Sequence, residues 1–92
     1  MKLSEVVAVI DSLDEDLIIF QERRKSYNAM TVCSTDKGNG GGVIINDGKE
    51  YHYLIEVLLA KEFIIDWVKS LTYKPGNAEI AERLYDFAMN DA

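Results

Sequence analysis

The apolar positions change their period once, abruptly, in the second half of the chain. Tyr51, Tyr53, Ile55 and Val57 recur at every second position, and from there to Leu71 the apolar spacing is that of a helix. A period of two buries one face of a strand, and a period near 3.6 buries one stripe of a helix. We therefore predict a strand whose side chains at these four positions face the core. A helix follows it directly and packs on the same face of the sheet.

The sequence also predicts a tight turn before this strand. Asp47-Gly48 is a two-residue hairpin signal, and it predicts pairing of a strand at 43–46 with the strand at 50–57. The preceding segment, 35–42, carries four glycines in five positions. We expect it to be a mobile loop. A phosphate-binding loop would need a following helix, whereas a strand follows here.

The first half of the chain predicts one helix and two strands. Ser4 is a good N-cap for a helix at about 4–13, which has an apolar stripe. The continuous apolar run at 17–20 predicts a strand buried on both faces and hence central in the sheet. A polar loop at 23–25 closes it, and residues 29–34 form a weaker second strand.

Two helices complete the chain. The first spans about 58–71 and ends before Pro75, which cannot continue a helix, and Asn77 caps the last one. The element order is then α-β-β-β-β-α-α. We predict a single α+β domain over residues 1–92, with a four-stranded, mainly antiparallel sheet and three helices packed on one face.

Composition and charge limit the classes of function. The 92 residues are 48% hydrophobic, which predicts one ordered domain. Cys33 is the only cysteine, so we expect a reducing compartment and a cytoplasmic protein. Glu5 near the start and the lack of a long apolar run predict neither a signal peptide nor a membrane span. The net charge of −6 disfavours nucleic acid and suits a basic protein partner. Solubility alone is the plainer reading of that charge.

No combination of residues predicts catalysis. His52, the only histidine, could act as a general base oriented by Glu56, or could meet Cys33 as a nucleophile pair. A lone cysteine is more often a small buried side chain. One histidine and one cysteine cannot supply a zinc site, and no acids have the spacing of a calcium loop. We predict no enzymatic activity, no cofactor and no bound metal.

Aromatic side chains with acids nearby predict a protein-binding surface instead. The candidate contact residues are Tyr51, His52, Glu56, Glu62 and Asp66. We expect a binding module, in the manner of an immunity protein or accessory inhibitor of a basic partner. One alternative is a small-ligand sensor or minor enzyme with a pocket between the sheet and the C-terminal helices. Another is that the aromatic residues only fill the core. The chain could be a monomer, or a homodimer formed through a strand edge or an aromatic patch.

Apolar spacing recurs at 3–13, 16–20, 53–57, 60–63 and 85–92, together with Glu56 and the tail Asn90-Asp91-Ala92. In these residues, which leave out the glycine-rich segment, most of the chain resembles small acidic bacterial proteins of unknown function. That family has no established activity, so the resemblance implies no catalytic residue. Small acidic proteins of this kind are sometimes immunity or accessory proteins, which is an analogy of class.

Overall fold

The structure, a computed structural model, describes residues 1–22, 28–35 and 42–91. The predicted polar loop at 23–25 and the glycine-rich segment up to residue 41 lie outside these ranges. The described residues form α1 (Leu3–Ala8), β1 (Ile18–Glu22), β2 (Thr31–Ser34), β3 (Val43–Asn46), β4 (Lys49–Glu56), α2 (Val57–Lys69) and α3 (Asn77–Asp91), with a 3₁₀ turn at Ile10–Ser12. The predicted order of elements is confirmed.

The four strands form one antiparallel sheet in the spatial order β2-β1-β4-β3. Ile18, Ile19, Phe20 and Gln21 are all buried, so β1 is covered on both faces. This confirms the prediction that the first strand is central. Among the described residues, no helix is both long and apolar enough to cross a bilayer.

The β3–β4 hairpin turns as its sequence predicts. Asp47 and Gly48 have φ angles of 52° and 75°, and Asn46 pairs with Lys49 on either side of them. Two consecutive positive φ angles are the requirement of a type I′ turn, whose twist matches that of the strands it joins.

The helices pack on one face of the sheet. The strands contribute Ile19, Leu54 and Ile55 to this helix-side core. The helical side chains that meet them are Leu3, Val6, Val7, Ile10, Val57, Ala60, Ile80, Ala81, Leu84 and Ala88. A second, smaller cluster lies on the opposite face and consists of Ile18, Phe20, Ile44 and Tyr51, with Val32 partly buried against it. The sheet therefore buries apolar side chains on both of its faces.

The prediction that Tyr51 and Tyr53 lie on the helix side of the sheet is wrong. Ile19 pairs with Ile55 but Phe20 pairs with Tyr53, so Leu54 is an extra residue on β4. Such a bulge shifts the alternation by one position. Tyr51 consequently joins the cluster on the far face, whereas Ile55 stays in the helix-side core. The helix after the strand packs on the face that Ile55 occupies and not on the tyrosine face.

The start of α1 also differs from the prediction. Leu3 is fully buried, and the helix begins at this residue with Lys2 as its N-cap, so Ser4 lies inside the first turn. The Glu5 carboxylate accepts a hydrogen bond of 2.7 Å from the backbone N–H of Lys2. The helix ends at Ala8 and continues only as the 3₁₀ turn, so the predicted span of 4–13 is too long.

Two hydrogen bonds join the first half of α2 to the segment that precedes β1. The Lys61 Nζ donates a hydrogen bond of 2.7 Å to the carbonyl of Leu13. The backbone N–H of Val57 donates to the carbonyl of Leu17 at 3.0 Å. Both acceptors lie in the segment that joins the 3₁₀ turn to β1. These bonds fix the first half of α2, and the second half extends toward α3.

Candidate functional site

Helix α2 is apolar around more of its circumference than the core covers. Its buried residues, Val57 and Ala60, lie in the first turn. Phe63 and Trp67 are only partly buried, and the Ile65 side chain is 51% exposed. A surface helix of a globular protein normally buries one apolar stripe and exposes polar residues elsewhere. The second half of α2 therefore presents apolar surface to solvent.

Aromatic rings from α2 and α3 shape that surface into a groove. The rings of Phe63 and Phe87 stack with centroids 4.3 Å apart and planes inclined by 18°. The groove has a volume of about 410 Å³. Its lining residues, which define the α2–α3 groove, are Leu59, Glu62, Phe63, Asp66, Trp67 and Phe87. This volume lies in the range of pockets that hold one or a few side chains or a small ligand.

The carboxylates of Glu62 and Asp66 give the groove its charge. They lie four residues apart on α2, and both side chains are exposed. Neither has a hydrogen-bond or ion-pair partner in the described part of the chain. Two like charges at this spacing destabilise a helix by about 0.2–0.5 kcal/mol. A cation bound here would remove that repulsion.

One cation of the chain already contacts the groove. The guanidinium carbon of Arg83, on α3, lies 5.8 Å from the centroid of the Trp67 ring. Arg83 also lines a smaller hollow of about 150 Å³ beside the stacked pair Phe63 and Phe87. The indole is therefore shared between an internal arginine and the groove.

A second acidic groove lies where the sheet meets the start of α2. It has a volume of about 470 Å³. Its lining residues, which define the β4 groove, are Glu15, Asp16, Leu17, Ile18, Tyr53, Glu56 and Leu58. Partial burial raises the pKa of Tyr53, and the nearby Glu56 carboxylate raises it further. This groove is richer in carboxylates than the α2–α3 groove, but it has only one aromatic ring.

The structure brings together two of the five predicted contact residues. Glu62 and Asp66 share the α2–α3 groove, and Glu56 lies in the β4 groove. Tyr51 is only 6% exposed and belongs to the cluster on the far face of the sheet. His52 pairs with Gln21 on the helix side of the sheet, where its Nε2 is buried without a hydrogen-bond partner among the described residues. Tyr51 therefore acts in the core, whereas Glu62 and Asp66 are accessible.

The pairs considered for catalysis do not form. His52 and Glu56 project from opposite faces, because the bulge at Leu54 lies between them. Strand β1 separates β2, which carries Cys33, from β4, which carries His52. Burial raises the pKa of the Cys33 thiol, with a smaller opposing effect of the N-terminal charge. In the described part of the chain, no group of three or more histidine, cysteine or acidic side chains is arranged to hold a metal ion.

The aromatic side chains of the groove are absent from the predicted contact residues. The helical spacing of Phe63 and Trp67 in α2 and of Phe87 in α3 is that of a buried stripe, so the sequence does not distinguish a place in a surface groove from a place in the core. The signal that could have identified them is the pairing of adjacent apolar residues in α2, at 58–59 and 64–65, which a single buried stripe cannot accommodate.

In comparisons of the chain with family models, curated proteins and solved structures, nothing matched. The resemblance to small acidic bacterial proteins therefore stays a prediction, and the site has to be interpreted from its own chemistry.

Proposed function

We propose that this protein is a protein-binding module without catalytic activity, and that it binds a basic partner through the α2–α3 groove. The observation that carries the proposal is the combination of an aromatic groove with two carboxylates, Glu62 and Asp66, that have no partner among the residues which the structure describes. A few side chains carry most of the binding energy of a protein interface, and tryptophan is enriched among them. Unpaired charges at the rim select a partner of opposite sign and accelerate its association.

The charge of the whole chain supports the same partner. The net charge is −6, and the β4 groove adds Glu15, Asp16 and Glu56 to the acidic surface. A field of this sign attracts a basic protein over distances of about one Debye length, roughly 8–10 Å at physiological salt. It repels the phosphates of nucleic acids, so the proposal includes neither a nucleic-acid nor a membrane partner.

The biological role that we propose is that of an immunity-like or accessory inhibitor acting in the cytoplasm. Inhibitors of this type need a preformed complementary surface and no reactive group. A single cysteine, which cannot form an intrachain disulfide, is consistent with a reducing compartment. The proposal holds for a monomer or a homodimer, because one chain supplies the whole groove.

A small-ligand sensor or minor enzyme has less support. That alternative needs a pocket between the sheet and the C-terminal helices. Apolar side chains of the helix-side core, among them Ile55, Ala81 and Leu84, occupy this interface. His52 lies on the helix side of the sheet, and its buried Nε2 has no hydrogen-bond partner among the described residues, but Glu56 projects from the other face and cannot orient it.

The test is a titration of the ¹⁵N-labelled protein with two amphipathic helical peptides, one basic and one with every basic residue replaced by glutamate. We expect the basic peptide to bind with a Kd of about 1 mM or tighter and to shift amide signals of α2 and α3. The acidic peptide should leave these signals unchanged. Binding of both peptides to the same extent, or shifts confined to other elements, would refute the proposal.

A matched pair of double variants assigns the binding to the groove. Glu62→Gln with Asp66→Asn removes both rim charges and keeps their size. Asp11→Asn with Glu50→Gln removes two exposed acids elsewhere. Since exposed charges contribute about 0.2–1 kcal/mol each, the first variant should weaken binding by about two- to thirtyfold and the second much less.

A further inference from the structure

The contact between Arg83 and Trp67 has features of a bound cation. The guanidinium carbon lies 5.8 Å from the ring centroid, within the distance of about 6 Å at which a cation is attracted to an aromatic face. Arg83 is exposed, so nothing in its burial forces it onto the ring. The indole therefore attracts a guanidinium in the free protein.

Arg83 takes this position although carboxylates lie within reach along its own helix. Glu79 is four residues earlier and Asp86 three residues later, spacings at which ion pairs form on a helix. Glu79 accepts a hydrogen bond from the Tyr73 hydroxyl instead, and Arg83 makes no ion pair within the described residues. The guanidinium over Trp67 consequently has no carboxylate partner in the part of the chain that the structure describes.

The carboxylates that could complete such a site lie on the other helix. Asp66 and Glu62 line the same groove as Trp67, and both lack a partner in the described ranges. An arginine that enters from solvent can meet the ring and a carboxylate together. Arg83, anchored on α3, meets only the ring. An external guanidinium can therefore make two favourable interactions at this site, whereas Arg83 makes only one.

We propose that the group which the α2–α3 groove recognises is an arginine side chain of the partner, and that it displaces Arg83 from the Trp67 ring. This inference rests on the proposed function and specifies the chemistry of the partner. In the free protein Arg83 occupies the ring in its place. On binding, the partner's guanidinium stacks on the indole and pairs with Asp66 or Glu62, and Arg83 moves into solvent.

The chemistry of the site favours arginine over lysine. A guanidinium is planar, so it stacks on an aromatic face while its N–H groups point outward to carboxylates. It is also more weakly hydrated than an ammonium group, so less hydration is lost on entering an aromatic groove. A lysine ammonium group can pair with Asp66, but it has no planar face that could stack on the indole at the same time.

The experiment uses three tryptophan-free amphipathic helical peptides that differ only in their cationic positions, which carry arginine, lysine or the uncharged analogue citrulline. Trp67 is the only tryptophan of the chain, so its fluorescence reports directly on the ring. The same titrations are followed by amide shifts, which do not depend on the indole. We expect the arginine peptide to bind several-fold more tightly than the lysine peptide and to change the Trp67 emission. Citrulline should bind weakest.

Two variants test the displacement. Arg83→Ala removes the internal competitor, and we expect it to tighten binding of the arginine peptide by about two- to fivefold, which corresponds to ~0.5–1 kcal/mol for an exposed cation–π contact. Lys49→Ala removes one exposed positive charge from the hairpin and serves as the matched control. It should tighten binding much less, because it changes net charge without changing access to the ring.

The outcomes separate this inference from the proposed function. Equal affinities for the arginine and lysine peptides, or an effect of Arg83→Ala no larger than that of Lys49→Ala, would overturn the inference and leave a basic partner in place. Failure of both cationic peptides to bind would overturn the inference and the proposed function together. Circular dichroism of each variant establishes that the comparison is made on folded protein.

Discussion

Phe20 and Tyr53 face each other across the two central strands, with ring centroids 6.3 Å apart and planes at 89° to one another. This edge-to-face contact lies on the side of the sheet away from the helices. Phe20 is fully buried there with Ile18 and Tyr51, whereas Tyr53 is 45% exposed at the margin of the cluster. The sheet therefore has a small core of its own, independent of the helices.

Replacement of Phe20 tests the contribution of this second cluster. We expect Phe20→Ala to lower the free energy of unfolding by about 3–5 kcal/mol, because it removes a fully buried ring and leaves a cavity. Urea denaturation followed by circular dichroism measures the change. Tyr53→Phe keeps the ring and serves as the control, with an expected cost of about 1 kcal/mol or less for the hydroxyl, which is hydrogen-bonded to the backbone of Glu56. A loss below about 1 kcal/mol for Phe20→Ala would mean that the far face contributes little.

The hairpin offers a test that separates backbone conformation from packing. Gly48 has a φ of 75°, and a Cβ at this position would meet nothing within 4 Å. Gly48→Ala should therefore destabilise the fold only through its left-handed conformation, by about 1–2 kcal/mol. Asp47→Asn, at the other positive φ of the turn, should be nearly neutral, since asparagine tolerates this region. Equal effects of the two substitutions in thermal denaturation would argue against the type I′ turn.

The hairpin and the bulge in β4 differ in how far the sequence predicts them. The hairpin was predicted because Asp47-Gly48 acts locally, and the order of elements followed from the change of apolar period. The bulge at Leu54 was missed, because one inserted residue leaves the composition of a strand unchanged. The adjacent apolar pair Leu54 and Ile55 was its only trace in the sequence.

The candidate site was predicted only in part, because local spacing identifies its acids but not its aromatic side chains. Glu62 and Asp66 are predicted as contact residues because both lie on the polar side of the second helix. The groove beside them depends on how two helices pack, and only the structure brings Phe63 to Phe87 and Arg83 to Trp67. The alternation in β4 predicts Tyr51 on the same face as Ile55, whereas the bulge at Leu54 places it in the cluster on the far face.

The bond from Lys61 to the carbonyl of Leu13 predicts a specific stabilising role for this lysine. Lys61→Met keeps most of the aliphatic chain and removes the donor, and we expect it to cost about 1 kcal/mol of unfolding free energy. Lys69→Met, on the exposed end of the same helix, is the control and should cost much less. If both variants unfold at the same urea concentration as the unsubstituted protein, the bond to Leu13 contributes nothing measurable.

Cys33 predicts a pH dependence of both reactivity and stability. Burial raises the pKa of its thiol above the ordinary cysteine value, so the folded protein holds this proton more tightly than the unfolded chain. The thiolate is the form that reacts, and alkylation by iodoacetamide should therefore be slow at neutral pH and rise at a higher pH than in urea-unfolded protein. Mass spectrometry of timed samples measures the two profiles. Overlapping profiles for folded and unfolded protein would contradict the raised pKa.

The same shift fixes the sign of the effect on stability. A pKa raised by folding contributes stability that is fully present below the unfolded-state pKa and is lost as the pH rises through the folded-state pKa. The free energy of unfolding of Cys33→Ala should therefore fall less than that of the unsubstituted protein as the pH becomes alkaline. The comparison has to be made as a difference between the two proteins, because Tyr53 and Tyr73 also have raised pKa values and titrate in both. An unchanged alkaline slope in Cys33→Ala would show that the thiol does not contribute to it.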